Sequence, residues 1–286
     1  MALESIITNV DANIALASLT NTQTSLAATE KQISTGYAVA DATDNGAAYA
    51  IAQKVRSDVG ALTSANQQLG NVQGLLGVTS SALNDVSNLM NSARDVLVKL
   101  ADGNTQGSQR TQYIQQYQSL LANVKSDIQN ADYNGKTLIG DISGSVGSQG
   151  AVNVVTNETG STYNIATYSG SNLFNSINFT STVLNSASQV ASLIGTSASG
   201  ATFINQLNAI GTQMNSYGAA TNYVTNQVQY NTDKITSLNN GLGSLVDANL
   251  AQESAKLQSL QIQQQLGTQA LSIANQAPQS LLSLFR

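Results

Sequence analysis

Few side chains in this chain could do chemistry. His and Cys are both absent from its 286 residues. That removes the usual general base, the thiolate nucleophile and the commonest metal ligands. What remains is carboxylates, lysines and a fragment of a phosphate loop. Asn134-Gly135-Lys136-Thr137 ends like such a loop, but the glycine required five residues before Gly135 is Asn130, so the stretch reads as a type I′-like turn. Asp41 with Asp44 and Asp127 with Asp132 are spaced as acid pairs. At connector or helix-end positions, and with no His or Cys nearby, they read as capping and solvated groups. Asn157-Glu158-Thr159 and Asn178-Phe179-Thr180 match the N-glycosylation sequon and read as unmodified loop. No catalytic, cofactor or metal site is expected. The 11 Lys and Arg are scattered through a chain of net charge −5, which leaves no basic footprint for nucleic acid.

The apolar spacing is the stronger signal. Leu257 to Phe285 contains no charged side chain and is rich in Gln. Leu266, Ala270, Ile273, Ala277, Leu281 and Leu284 recur three or four residues apart, as one face of a helix does. So many amides would be unsatisfied in lipid, so no membrane insertion is expected, and a surface helix would carry charge. The face therefore calls for other protein around it. Leu3, Ile7, Val10, Ile14 and Ala17 form a matching stripe at the other end, beside a second stripe of Ala12, Leu16, Leu19, Leu26 and Ile33. Two stripes on one helix imply burial on two sides.

Between these ends the heptad is long. Leu69, Val72, Leu76, Thr79, Leu83, Val86, Met90, Ala93, Leu97 and Leu100 lie on one seam of a helix expected over 47–100, roughly 80 Å at 1.5 Å per residue. Ile114, Tyr117, Leu121, Val124, Ile128 and Ala131 continue the pattern after a turn, and Phe203 to Leu245 repeats it, with polar Thr221 and Asn231 on the seam to fix register. Alternation at Val152, Val154, Tyr163 and Ile165 predicts a β-hairpin in a middle with few apolar anchors, expected to be exposed. Val183 to Ile194 is a weak helical run, and Gly241 and Gly243 suggest a soft junction before the last helix.

Ile33-Ser34-Thr35-Gly36, the segment DNGAAYAIAQKVRSD from Asp44 to Asp58, Asn134-Gly135 before Lys136-Thr137-Leu138-Ile139, and QQLGTQALSIANQAPQSLLSLFR from Gln264 to Arg286 together resemble bacterial flagellin. The resemblance covers about 1–139 and 203–286. It implies a mainly α fold: an elongated antiparallel helical bundle or coiled coil with a small β-hairpin region, its N- and C-terminal helices paired as an inner coiled coil. The expected divisions are 1–34 as the N-terminal inner helix, 35–46 as connector, 47–139 and 201–244 as the helical rod, 140–200 as the variable middle, and 245–286 as the C-terminal inner helix. The insert is short, as in alphaproteobacterial-type members without large outer domains. The implied function is that of a subunit exported unfolded by the type III route, whose ends order as it polymerises with itself into the extracellular filament for swimming. The implied partners are the filament cap, hook–filament junction proteins and an export chaperone. Inter-subunit packing is expected at Leu3, Ile7, Val10, Ile14, Leu266, Ile273, Leu281, Leu284 and Phe285. Asn91, Ser92 and Tyr117 match, in altered form, the positions of the family's immune-receptor epitope, so weak or no recognition by the vertebrate toll-like receptor for flagellin is expected. The alternatives are a hook–filament junction protein and a flagellin-like surface adhesin using Tyr163, Tyr168 and Phe174 on glycans.

Overall fold

The computed structural model describes residues 9–195 and 202–284, with backbone alone for 277–284. The chain divides into two compact units, residues 1–58 with 236–286 and residues 59–235.

The first unit holds α1 (Val10–Thr35), the start of α2 (Gly46–Ala101), the end of α7 (Thr202–Val246) and α8 (Leu250–Leu284). Asn9 opens α1 by accepting a hydrogen bond from the Ala12 amide at 2.9 Å. Gly36 closes it at φ 74°, a left-handed cap that donates to the Gln32 carbonyl. Asn45 caps α2 in the same manner as Asn9, accepting from the Ala48 amide. The break before α8 differs from the one expected. Gly241 and Gly243 lie inside α7, and the chain turns at 247–249. The pairing partners explain this: the Ala248 amide donates to the Gly36 carbonyl, and Ala38 and Val39 donate to the Val246 carbonyl, so the connector itself stops the helix there.

The second unit holds the rest of α2 and α7, α3 (Gly107–Gln129), two small sheets and three short helices. β1 (Lys136–Thr137) pairs in parallel with β2 (Ser148–Gln149), and β3 (Val152–Val155) pairs antiparallel with β4 (Thr162–Ile165). α4 (Gly170–Ile177), α5 (Ser181–Leu184) and α6 (Ala187–Ile194) follow. Every seam residue expected on α2 and α3, from Leu69 to Leu100 and from Ile114 to Ala131, is buried. At about 1.5–3 kcal/mol for each large aliphatic side chain removed from water, that seam is the main attractive term of this unit. The Asn134-Gly135 turn also forms as read, with φ of 51° and 75° at its two central residues and Tyr133 and Lys136 bonded to each other.

The middle is a correction. Instead of standing exposed, it contributes Val154, Ile165, Leu173, Ile177, Leu184 and Val190 to the same core as α2, α3 and α7. These residues are spread one or two to each short element, too thinly for a periodic signal, but all turn inward. Close approach requires glycine at the start of α4: a Cβ on Gly170 would lie 2.3 Å from the Ile139 carbonyl oxygen.

Polar groups fix the register of the packing. Asn231, fully buried on α7, donates to the Thr156 carbonyl and to Asn66 Oδ1, both at 2.9 Å. Gln227 reaches the same carbonyl, Lys234 pairs with Glu158, and Tyr163 stacks on Tyr223 with ring centroids 4.1 Å apart. Tyr223, Gln227, Asn231 and Lys234 share one face of α7, and the hairpin lies along it. At its turn, Asn157 accepts from the Thr159 and Ser161 amides, so the first sequon is a turn cap.

Candidate assembly interface

The α1–α8 pair is antiparallel and in register. Asn9 Nδ2 donates to the Ala274 carbonyl at 2.7 Å, Leu19 packs against Gly267, and Gly36 meets Ala248. The residue numbers of each pair add to nearly the same value, as antiparallel pairing requires. On α1 the covered positions are Ala12, Ala15, Leu19, Thr22, Leu26, Thr29 and Ile33. On α8 they are Glu253, Leu257, Leu260, Gln264, Gly267, Leu271 and Ala274. Both sets step by alternating three and four, the seam of a two-stranded coiled coil.

That seam is thinly apolar. Ala, Thr, Gly, Gln and Glu occupy eight of its fourteen positions, and other large apolar side chains of the two helices point elsewhere. Val10 is 61% exposed, Ile14 63%, Leu266 58% and Ile273 69%, so these four predicted packing residues lie on faces left open by the pair. Leu16 and Ile262 join them, although Leu16 was expected among the second stripe. Leu281 and Leu284 lie within α8, where only the backbone is described, and Leu3, Ile7 and Phe285 fall outside the described residues. The α8 seam through Leu257, Leu260, Gln264, Gly267 and Leu271 was missed because a Gln and a Gly interrupt its apolar signal.

Asn91 and Ser92 are exposed on α2. Tyr117 is not: it is fully buried, its hydroxyl donates to the Ile177 carbonyl at 2.6 Å, and burial pushes its pKa up. It is a seam residue, so the three positions do not share a surface.

Three of the four carboxylates in the acid pairs, Asp41, Asp44 and Asp132, serve as local structure. Lys31 donates to Asp41 at 2.7 Å and to Asp44 at 2.8 Å. Asp41 also accepts from Thr43, and Asp44 from the Ala40 and Asp41 amides, so one lysine and two carboxylates shape the connector after α1. The Lys31 ammonium and then Thr43 hold the Asp41 carboxyl well below its usual range, and Lys31 and then the Ala40 amide lower Asp44. The two carboxylates raise Lys31 in turn. Lowered carboxyls stabilise above the ordinary carboxylate pKa and lose that contribution as pH falls through their lowered values. A raised lysine stabilises below its ordinary pKa and loses that as pH rises through the raised one. Substituting Lys31→Ala should therefore depress the melting temperature at neutral pH by a small, solvent-screened amount, and the gap to the parent should close below the carboxylate range. Melting curves over a pH series check this; a gap that persists unchanged into strong acid contradicts it. Asp132 caps the Asn134-Gly135 turn by accepting from the Gly135 amide, and Thr137 Oγ1 accepts from the Ile139 and Gly140 amides, so the Gly-Lys-Thr stretch is a folded corner and not a phosphate cradle. Among the described residues no three His, Cys, Asp or Glu groups could hold a metal, and no helix is long and apolar enough to cross a membrane.

Comparison with known proteins decides the family. The bacterial flagellin N-terminal helical region matches residues 6–143, and the bacterial flagellin C-terminal helical region matches 201–285. The chain belongs to the bacterial flagellins. Relatives include the flagellin of Brucella melitensis biotype 1, 33% identical over 99% of this chain and 100% of its own length. Flagellin FljK of Caulobacter vibrioides is 34% identical over the whole of both chains, and flagellin C of Rhizobium meliloti is 27% identical over 99% of this chain and 100% of its own. All three are alphaproteobacterial. Among solved structures, a Bacillus cereus flagellin aligns over 58% of this chain and 88% of its own at 15% identity, with a TM-score of 0.48. As a flagellin, the chain is a structural subunit that assembles with itself into the flagellar filament of motile cells. The fold is mainly α with a small two-sheet strand region, as the resemblance implied.

Proposed function

We propose that the open apolar faces of α1 and α8 are the inter-subunit surfaces of the filament core, with Leu3, Ile7, Val10 and Ile14 on one and Leu266, Ile273, Leu281, Leu284 and Phe285 on the other. The supporting observation is the mismatch within the α1–α8 pair: small and polar residues take eight of its fourteen seam positions, while Val10, Ile14, Leu266 and Ile273 face solvent in the single chain. A pair built this way gains little by closing on itself and much by being surrounded. The subunit is exported unfolded, secreted to the extracellular filament, and handed between an export chaperone, the hook–filament junction proteins and the cap. Its role is mechanical and not catalytic. The glycan-binding alternative loses its support, because Tyr163 is stacked on Tyr223 while Tyr168 and Phe174 pack against the core. Asn91 and Ser92, without the family's epitope side chains, leave a surface poorly suited to the vertebrate receptor.

Seeded assembly tests the reading. Electron microscopy should show filaments, and the amides of α1 and α8 should gain strong hydrogen-exchange protection on assembly while those of the α2–α3 core change little. Equal exchange of α1 and α8 in monomer and filament would refute it.

A further inference from the structure

Tyr163 on β4 and Tyr223 on α7 are the one pair of tyrosine rings in contact among the described residues, with centroids 4.1 Å apart and planes inclined by 25°. That spacing is close to carbon–carbon van der Waals contact, about 3.5–4.0 Å. The pair is also held in place. Gln227 and Asn231 donate to the Thr156 carbonyl at the end of β3, Lys234 pairs with Glu158 in the hairpin turn, and Val154 and Ile165 on the two strands are buried in the core. The rings meet as parts of one packed body, so the freedom that two separate phenols would lose on meeting is already lost in folding.

Both phenols are open to reagents. Tyr223 is 40% exposed and Tyr163 half-buried, and neither hydroxyl is sealed from solvent or has a hydrogen-bond partner among the described residues. Other tyrosines are placed differently. Tyr117 and Tyr217 are buried and donate to backbone carbonyls, and the Tyr168 hydroxyl is enclosed. Arg56 lies over the Tyr37 ring and Lys99 over that of Tyr113, where a cation opposes loss of an electron from the ring. Tyr49, Tyr133 and Tyr230 stack on no aromatic ring among the described residues. Without Cys the chain has no disulfide, and a bond between tyrosines is a covalent tie still open to it in an oxidising medium.

We propose that Tyr163 and Tyr223 form an oxidative cross-linking site, at which hydrogen peroxide acting through a haem peroxidase joins β4 to α7 as dityrosine. Each phenol gives up one electron and its hydroxyl proton, and one hydrogen peroxide takes both electrons and both protons to become two waters. The two tyrosyl radicals combine through the ring carbons ortho to their oxygens. The hydrogen on each joined carbon then passes through solvent to a phenolic oxygen, which restores both aromatic rings and both hydroxyls. The bond fastens the hairpin to the long helix.

Dilute full-length monomer treated with a haem peroxidase and hydrogen peroxide tests this. Dityrosine fluorescence should develop in a product of monomer size, two hydrogens lighter than the parent, and proteolytic mapping should join the peptides that carry Tyr163 and Tyr223. Tyr163→Phe and Tyr223→Phe keep a ring in the stack and should each cut the yield roughly tenfold or more, because the remaining tyrosines must meet by diffusion. Tyr230→Phe removes a more exposed phenol, 59% against 40%, and should leave the yield unchanged. In the cross-linked monomer the β3 and β4 amides should exchange roughly tenfold more slowly than in the untreated one. Equal yields from the parent and Tyr163→Phe, or dityrosine confined to dimers, would overturn the proposal, and so would hairpin exchange unchanged by the bond.

Discussion

Ile14→Asp and Ile273→Asp should each leave the monomer folded and abolish filament formation at concentrations where the parent assembles. The two side chains are 63% and 69% exposed in the single chain, so a carboxylate at either position meets water and should change monomer stability by no more than about 0.5 kcal/mol. In the filament the same carboxylate would have to leave water and enter an apolar contact, at a cost of several kcal/mol per contact. At about 1.4 kcal/mol per tenfold, ~3 kcal/mol raises the critical concentration roughly a hundredfold. Ile14→Ala and Ile273→Ala grade the effect, since they lose only burial, ~1–2 kcal/mol. Sedimentation of seeded samples across a concentration series gives the critical concentrations, and thermal melting of the unseeded samples gives the stability. Filaments appearing at the parent's concentration in both aspartate variants would place the core contacts elsewhere. A fall in monomer melting temperature would instead mean that these faces are already covered within the chain.

The same residues show what the sequence made readable. A stripe such as Leu266, Ala270 and Ile273 is visible because its residues are apolar and regularly spaced, and spacing alone reports that a face is buried without saying by what. Here the visible stripe on α8 is the open one, and the face that closes on α1 carries Gln264 and Gly267, which no apolar pattern would select. The long seams of α2 and α3 were legible because their apolar residues are buried at every heptad position, so period and burial coincide. The middle was not, because its core residues arrive one or two at a time from five short elements, and their common side is a property of the tertiary fold. Asn231 was legible as a register device but not in its means: a Thr156 carbonyl far away in sequence satisfies it. The Lys31 network was hidden for a related reason, since an acid pair in sequence gives no sign that a lysine ten residues earlier will lie between its members.

Arg110 should give the largest loss of stability from a single polar substitution. Counting back four from Ile114 places it on the α3 seam, a position where a cation is expensive unless something holds it. It is 8% exposed and forms no ion pair among the described residues. Its guanidinium instead donates to three carbonyls, Leu100 at 2.6 Å, Thr105 at 2.8 Å and Leu184 at 3.1 Å. The Leu100 carbonyl belongs to the last turn of α2, where helix carbonyls lack a helical donor and the dipole favours a positive charge. Thr105 belongs to the turn into α3, and Leu184 ends α5, so one side chain joins the end of the long helix, its reversal and the middle segment. Arg110→Ala removes three charge-assisted bonds and leaves the carbonyls unpaired, against which stands the relief of a buried charge; the balance is a loss of ~3–5 kcal/mol. Arg110→Met keeps most of the apolar stem and should lose ~2–3 kcal/mol, which separates packing from hydrogen bonding. Urea denaturation of the monomer measures both. Exchange of the α5 and α6 amides should accelerate more than that of the α2 seam, because the middle segment loses its tether while the heptad packing stays. If Arg110→Ala unfolds within about 0.5 kcal/mol of the parent, the guanidinium is no tether, and the middle segment is held by its buried apolar residues alone.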